Sequence, residues 1–289
     1  MNIIVCVKQV PSSNEVKIDK ETNTIIREGV EAVINPFDTF AIEEALKIKD
    51  RANGTVTVIS MGIMKVAEML KEIMELGVDS GLLLSDRAFA GADSLATAYT
   101  LSMSIKKLNE YDLIICGKQA TDGDTAQVGP SLAEKLGISH TTYVSSIEEI
   151  TEKKIICVRA TDSGYERLEI QLPAVITVVK DINVPRLPSI KSIKQCKDKQ
   201  VHIWNAVDIM ADENNIGLKG SPTQVVKTFI PDYNIESELF TGTPEGQAQK
   251  LVNKLFSLEE FTTVSKLGAR IKLAETSPIE KHEVNYGKY

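Results

Sequence analysis

The sequence predicts an α/β protein built on a doubly wound, mainly parallel sheet, with an antiparallel extension and a C-terminal arm. Three observations predict it. Short apolar runs, Asn2 to Val7, Thr55 to Ser60, Gly81 to Leu84 and Leu113 to Cys116, alternate with amphipathic segments through the first half of the chain. Such runs are the strands of parallel sheets buried on both faces, and their alternation with helices winds the sheet. The polar run Gly117 to Gly129, GKQATDGDTAQVG, follows the last of these strands and leads into the helical segment Gln127 to Leu136. It therefore lies at the carboxyl end of a strand, where ligands collect in open α/β sheets. From about Thr141 the rhythm changes to successive strands with short turns.

Each element has a local cause. After the first strand, Val16 to Ile26 alternates around the polar DKETN and predicts a small hairpin. The next helix opens with Asn35 as N-cap, Pro36 at the first helical position and Asp38 beside the positive end of the dipole. Val66, Met69, Leu70 and Ile73 repeat at helical spacing until Gly77 stops them. Leu95, Ala98, Ile105 and Leu108 mark a helix that opens after Asp93. Val144 to Ile147, Lys154 to Arg159, Leu168 to Leu172 and Val175 to Val179 predict the antiparallel extension, with turns at Glu148 to Glu152 and Asp162 to Gly164. After Asp181 the chain is Pro-interrupted, irregular and locally basic. One strong helical signal remains, TPEGQAQKLVNKLF, with Thr243 as cap, Pro244 next, and Ala248, Leu251, Val252 and Leu255 on one stripe. That stripe needs a surface to pack on, in its own domain or on a second polypeptide. The division expected is an α/β nucleotide-binding domain at 1–205 and an arm at 206–289.

Composition excludes several function classes. With 289 residues, 43% of them hydrophobic, the chain can bury a sizeable core. A net charge of −7 argues against nucleic acid as main partner, since phosphate backbones are bound by clustered Lys and Arg. No apolar run approaches the roughly 20 residues of a membrane span. The opening MNIIVCVKQV reads as a strand rather than a signal peptide, so a cytoplasmic location is expected. Cys6, Cys116, Cys157 and Cys196 are far apart and read as buried reduced thiols. His140, His202 and His282 are unpaired at ligand spacing and offer little for a metal site or a catalytic triad.

The run Gly117 to Gly129 holds three Gly, two Thr, two Asp and two Gln, which supply amides, hydroxyls and carboxylates suited to a nucleotide-shaped ligand. The chain has no GxGxxG and no GxxxxGK[ST]. Phosphate recognition would then rest on backbone amides and the helix start near Ala126, with Lys118 as the nearby cation. Asp122 and Asp124 would repel a phosphate, and are assigned to ribose hydroxyls or to the loop's own amides. Gly123 is expected to allow close backbone approach and positive φ. The plain alternative is an ordinary polar connection. A second strand-to-helix junction offers the small residues Ala90, Gly91 and Ala92 before Asp93, able to border a flat ring or to serve only as a loop before the cap.

Together these segments resemble the beta subunits of electron transfer flavoproteins. The resemblance runs through VCVKQVP, NPFDTFAIEEALKIK, VTVISMG, DLIICGKQATDGDTAQVGP and VRATDSGYERLEIQLPAVIT, the last with Asp162, Gly164, Glu166 and Pro173 at the family's signature positions. It continues through PRLPSIKSI and GLKGSPTQVV and covers roughly residues 1–230. Ser163 departs from the family's usual Gly or acid, and the tail beyond Ile230 carries little resemblance.

The resemblance implies an adenine nucleotide alpha-hydrolase-like sheet and no catalytic residue of the chain's own. It implies pairing with a flavin-bearing alpha subunit on which the arm docks. Cofactor contacts would fall on Cys6 and Val7, on Asn35, Pro36, Phe37 and Asp38, and on Met61 and Gly62. They would continue through Gly117, Lys118, Gln119, Ala120, Thr121 and Asp122, then Gly123, Asp124, Thr125, Ala126, Gln127 and Val128. Ordinary members hold AMP there, whereas electron-bifurcating members hold FAD with NADH docking beside it. The small residues of DGDTAQVG favour FAD and NAD as cofactors, with AMP as the alternative. Ile190 falls where the family places an apolar anchor for an acyl-CoA or related dehydrogenase, flanked by Arg186, Lys191 and Lys194. In the bifurcating reading a low-potential acceptor such as ferredoxin or flavodoxin takes the second electron. The rival from another class is a stand-alone ATP-binding α/β protein.

Overall fold

The structure, a computed structural model, describes residues 1–12, 17–18, 25–26, 32–226 and 237–257. The core strands are β1 (Asn2–Cys6), β6 (Thr55–Met61), β7 (Ser80–Leu84), β8 (Leu113–Gly117), β9 (Ser139–Ile150), β10 (Lys154–Thr161), β11 (Gly164–Gln171), β12 (Ala174–Val178) and β13 (Val201–Trp204). They form one nine-stranded sheet in the order β11-β10-β9-β12-β8-β1-β6-β7-β13. Three small hairpin strands precede the first helix along with β2 (Gln9–Pro11): β3 (Lys17–Ile18), β4 (Ile25–Ile26) and β5 (Ala32–Ile34). β2 pairs with β5 and β3 with β4, both antiparallel. The β3–β4 pair is the expected hairpin; its DKETN centre lies outside the described residues.

From β1 the chain builds outward to β6 and β7, then returns to place β8 on the opposite side of β1. β1 is parallel to both β6 and β8, so the sheet reverses its direction of growth between β1 and β8. The crevice above such a reversal is the preferred ligand site of open α/β sheets.

The helices cover both faces because β1 is apolar on both. Ile3 and Val5 pack with Val56 and Val58 beneath α1 (Pro36–Ala52) and α2 (Val66–Glu75). Ile4 and Cys6 pack with Ile59 and Ile114 beneath α3 (Ser94–Leu108) and α4 (Val128–Leu136). Fully burying one such aliphatic side chain contributes about 1.5–3 kcal/mol. α2 ends as its pattern predicts, with Gly77 at φ 112 just beyond the last turn.

The extension is antiparallel over β9, β10 and β11. β12 then returns to the centre and runs parallel to both β8 and β9. Its five residues are all buried, which a strand flanked on both sides requires.

The segment after Asp181 is more regular than its composition predicts. α5 (Ile190–Cys196) is held by a capping box between Ser189 and Ser192, and β13 adds a ninth strand parallel to β7. Four residues at a sheet edge, none of them buried, leave a weak pattern. Ala206, Ile209 and Ile216 are buried in the core under α3, so the first compact unit runs Met1–Ile230 and does not stop at 205. The second unit, Pro231–Tyr289, contains α6 (Pro244–Ser257), where Gly246 N donates to Thr243 Oγ1 at 3.3 Å. The rest of the expected arm, 227–236 and 258–289, lies outside the described residues.

Candidate functional site

A cavity of about 580 Å³ opens at the carboxyl ends of β1 and β8, above the sheet reversal. Cys6, Val7 and Lys8 leave β1 along one wall, and Met61 closes β6. Asn35 and Asp38 come from the start of α1; Ala92, Asp93, Ser94, Thr97 and Leu101 come from the start of α3. The connector supplies Gly117, Lys118, Gln119 and Ala120, then Gly123, Thr125, Ala126, Gln127 and Val128.

Asn35 holds this connector. It occupies the N-cap position of α1 but caps nothing with its side chain. Instead Nδ2 donates to Gln119 O at 2.8 Å and Oδ1 accepts from Thr121 N at 3.1 Å. The expected helix cap is thus diverted to a loop 84 residues away, and the side chain is 1% exposed. Gln119 Nε2 in turn donates to Asp124 Oδ1 at 2.6 Å.

The left-handed positions fall elsewhere than expected. Asp124 at φ 49 and Ala126 at φ 53 take them, while Gly123 does not and would admit a Cβ into open space. Aspartate visits this region readily; alanine pays strain to do so. Sterics demand the two end glycines instead: at Gly117 a Cβ would run into Asp38 and would stand 2.7 Å from the Phe37 carbonyl carbon, and at Gly129 it would run into the Thr177 side chain.

Asp38 is buried, and burial pushes its carboxyl up to about 7 against hydrogen bonds from Asn35, Lys8 and Gly117. Its Oδ2 accepts from Lys8 N at 2.8 Å. Asp93 does the opposite. Burial pushes it up, but bonds from Ala96, Leu95 and Thr223 outweigh this and hold it below the usual range. Cys6 and Cys116 are register partners on β1 and β8. A hydrogen bond with Cys6, together with burial, raises the Cys116 thiol well above its ordinary value, so Cys116 reads as an unreactive wall group.

Two lysines reach the wall. Lys118 stands over the rings of Phe37 and Tyr143, at 5.9 and 5.3 Å from their centroids. Lys8 Nζ lies 2.7 Å from both Asp122 oxygens, so the sequence argument naming Lys118 alone was incomplete. At the far side Ser94 Oγ donates to Gln127 Oε1 at 3.0 Å, joining the starts of α3 and α4. Gln127 places no side-chain cap on α4, which leaves the first amides of that helix for solvent or a ligand.

Several expected residues lie outside the wall. Pro36 and Phe37 open α1 without lining the cavity, and a side chain at Gly62 would strike Val66. Thr121, Asp122 and Asp124 are spent on the connector's own bonds to Asn35, Lys8 and Gln119. Ala90 and Gly91 hold a different segment: Leu218 N donates to Ala90 O at 3.0 Å, and Gly91 packs against the Leu218 side chain. The sequence reading missed Lys8, Cys116, Gly129, Ser94, Thr97, Leu101, Thr223 and Val225. Ser94, Thr97 and Leu101 share one face of α3 by helical spacing and could have been found. Thr223 and Val225 arrive by a chain return with no local signal.

On the basic segment, Ile190 is 76% exposed at the first position of α5, with Lys191 and Lys194 exposed beside it. Arg186 is not a free rim cation. Its Nε and Nη2 bind Glu43 at 2.9 and 3.1 Å, and Nη2 reaches Asp50 at 3.0 Å.

The arrangement can enclose a mid-sized ligand between apolar and polar walls. Among the described residues no group of three or more His, Cys, Asp or Glu could hold a metal ion, and no helix is long and apolar enough to cross a membrane.

Comparison with known proteins agrees with this geometry. The model of the electron transfer flavoprotein domain matches residues 22–209. The chain is 50% identical over 258 residues, 89% of its length and 98% of the relative's, to an electron transfer flavoprotein subunit beta of Thermoanaerobacterium thermosaccharolyticum. It is 48% identical over 257 residues, 88% of the chain and 98% of the relative, to the caffeyl-CoA reductase-Etf complex subunit CarD of Acetobacterium woodii. It is 42% identical over 267 residues, 89% of the chain and 95% of the relative, to protein FixA of Azotobacter vinelandii. An alignment of 258 residues cannot fit within the first 230, so the likeness extends into the tail, contrary to the sequence reading.

Proposed function

The chain belongs to the electron transfer flavoprotein family as a beta subunit, and from that premise we propose that its cavity holds the adenosine end of FAD, with NADH docking beside it. In this reading the chain pairs with an alpha subunit and relays electrons between NADH, an acyl-CoA or similar dehydrogenase and a low-potential acceptor such as ferredoxin or flavodoxin, by flavin-based bifurcation in the cytoplasm. The observation that carries the reading is the position and size of the cavity: about 580 Å³, at the sheet reversal, well inside the roughly 300–1,000 Å³ of cofactor sites.

The wall fits such a group. Met61 and Leu101 offer apolar surface for a flat ring, Asn35 and Asp38 offer polar contacts, and uncapped amides at the start of α4 suit a phosphate. Gly117 lets the backbone of β8 close against α1 without a side chain between them. A bound flavin would supply the redox chemistry, taking electrons as a pair and passing them on singly. The chain's own residues position and shield: Asn35 fixes the connector, Asp93 fixes α3, and no side chain need act as nucleophile or general acid. The likeness to CarD, a subunit of a complex named for caffeyl-CoA reductase, favours a CoA-ester reductase or dehydrogenase as partner. Ile190 with Lys191 and Lys194 is the proposed contact for it, and the second unit, from Pro231 onward, the proposed contact for the alpha subunit.

The test is to purify the chain with its natural companion, denature the complex and identify the released nucleotides. Two FAD per heterodimer are expected. One FAD and one AMP would replace bifurcation by simple transfer, and ATP without flavin would overturn the family-based reading of the cavity altogether.

A further inference from the structure

Lys8 combines three properties that set it apart from the rest of the wall. Its backbone is pinned on both sides: the amide donates to Asp38 Oδ2 at 2.8 Å, and the carbonyl accepts from Asn35 N at 2.9 Å. Its side chain is long, 49% exposed and part of the cavity wall. Among the described residues its ammonium is held by a single carboxylate, that of Asp122, which is itself 33% exposed and stands outside the wall. The other cation at the wall, Lys118, is engaged over two aromatic rings. The acids at the wall are committed too, Asp38 by burial and Asp93 to the first turn of α3 and to Thr223.

We infer that Lys8 is the cavity's anion-binding cation and that Asp122 tunes its strength, so that the site grades adenine nucleotides by phosphate charge. The inference rests on the reading of the cavity as an adenine-nucleotide site, and adds to it which side chain senses the phosphates. An ion pair between two half-exposed groups is weak in itself, because water screens it and both side chains lose freedom. A phosphate offers the same ammonium more charge and more acceptor oxygens. Lys8 can therefore turn from Asp122 to the ligand, or serve both, while its pinned backbone keeps the ammonium at the cavity mouth. Asp122, left close by, partly cancels the attraction and keeps the nucleotide exchangeable.

The experiment is calorimetric titration of the full chain, co-purified with its companion and freed of bound nucleotide, with adenosine, AMP and ADP in turn. Lys8→Met is expected to weaken AMP by about tenfold, ADP by more, and adenosine hardly at all. Asp122→Asn is expected to tighten AMP and ADP several-fold, and Lys8→Arg to retain most of the affinity. High salt should shrink all of these differences. Equal losses for adenosine and AMP in Lys8→Met, or weakening of AMP in Asp122→Asn, would make the pair a loop brace and overturn the inference. Wild-type protein that binds AMP and ADP, with both affinities unchanged in Lys8→Met and in Asp122→Asn, sinks the inference alone. Protein that binds neither adenosine nor AMP sinks the nucleotide reading together with it.

Discussion

Asn35 donates its side-chain amide to the Gln119 carbonyl at 2.8 Å, so the start of α1 holds the glycine-bearing connector that follows β8. With its Oδ1 accepting from Thr121 N, one buried side chain satisfies a donor and an acceptor of the loop. Asn35→Ala leaves both loop groups without a protein partner. The expected cost is about 2 kcal/mol of unfolding free energy. Urea titration would measure it, and adenine-nucleotide affinity should fall in the same variant because the connector is released. Unchanged stability and affinity would remove the clamp from the account.

Asp38 carries a pH signature. Its carboxyl is held at about 7 in the folded chain against an ordinary value of 3.8. Between those values the folded state binds more protons than the unfolded state, so this group's contribution to stability falls as pH rises from about 4 through about 7. Above the window burial of the charge costs on the order of 4 kcal/mol; below it the cost is absent. Asp38→Asn should therefore match wild type near pH 4 and exceed it progressively toward pH 8. The difference between the two urea midpoints as a function of pH isolates this residue from the other carboxylates. A flat difference would show that the carboxyl ionises normally.

Gly117 is required by packing rather than by loop flexibility. A Cβ there would overlap Asp38 and press on the Phe37 backbone, so Gly117→Ala should destabilise by about 1–3 kcal/mol. Gly123→Ala, whose Cβ meets nothing within 4 Å, should change stability by less than about 0.5 kcal/mol. Thermal melts of the two variants check the contrast.

Arg186 and Ile190 lie four residues apart and should fail in different assays. Arg186→Ala strands the buried Glu43 carboxylate and should lower stability by about 2–3 kcal/mol. Ile190→Ala removes an exposed side chain and should leave the melt unchanged while slowing electron transfer with the proposed dehydrogenase partner roughly tenfold or more. Equal transfer rates in wild type and Ile190→Ala would take Ile190 out of the docking surface.

The sheet and its helices were legible because each is announced within a few residues. Apolar runs of four to six residues gave the strands, Asp93 and Pro36 gave two helix starts, and Gly77 gave an end. That the connector borders a cavity was legible because composition and position agreed. Roles within it were not, because they depend on what each side chain meets. Asp122 was assigned to ribose or to loop amides and instead meets Lys8, which follows β1 and lies 114 residues away. Asn35 was assigned to its own helix and meets Gln119 instead. Arg186 was assigned to a partner and meets Glu43.

By itself, then, the chain determined its elements and the strand end that opens on the cavity, and its quoted motifs carried the resemblance to its family. The first two are properties of spacing and composition, carried by neighbours in sequence. Only the tertiary structure decided that β12 returns to the middle of the sheet, that residues 206–216 close the first core, and that Lys8 stands with Asp122 at the cavity mouth. These depend on pairings across tens to more than a hundred residues. Backbone bonds and buried area select such pairings jointly, and no local pattern encodes them.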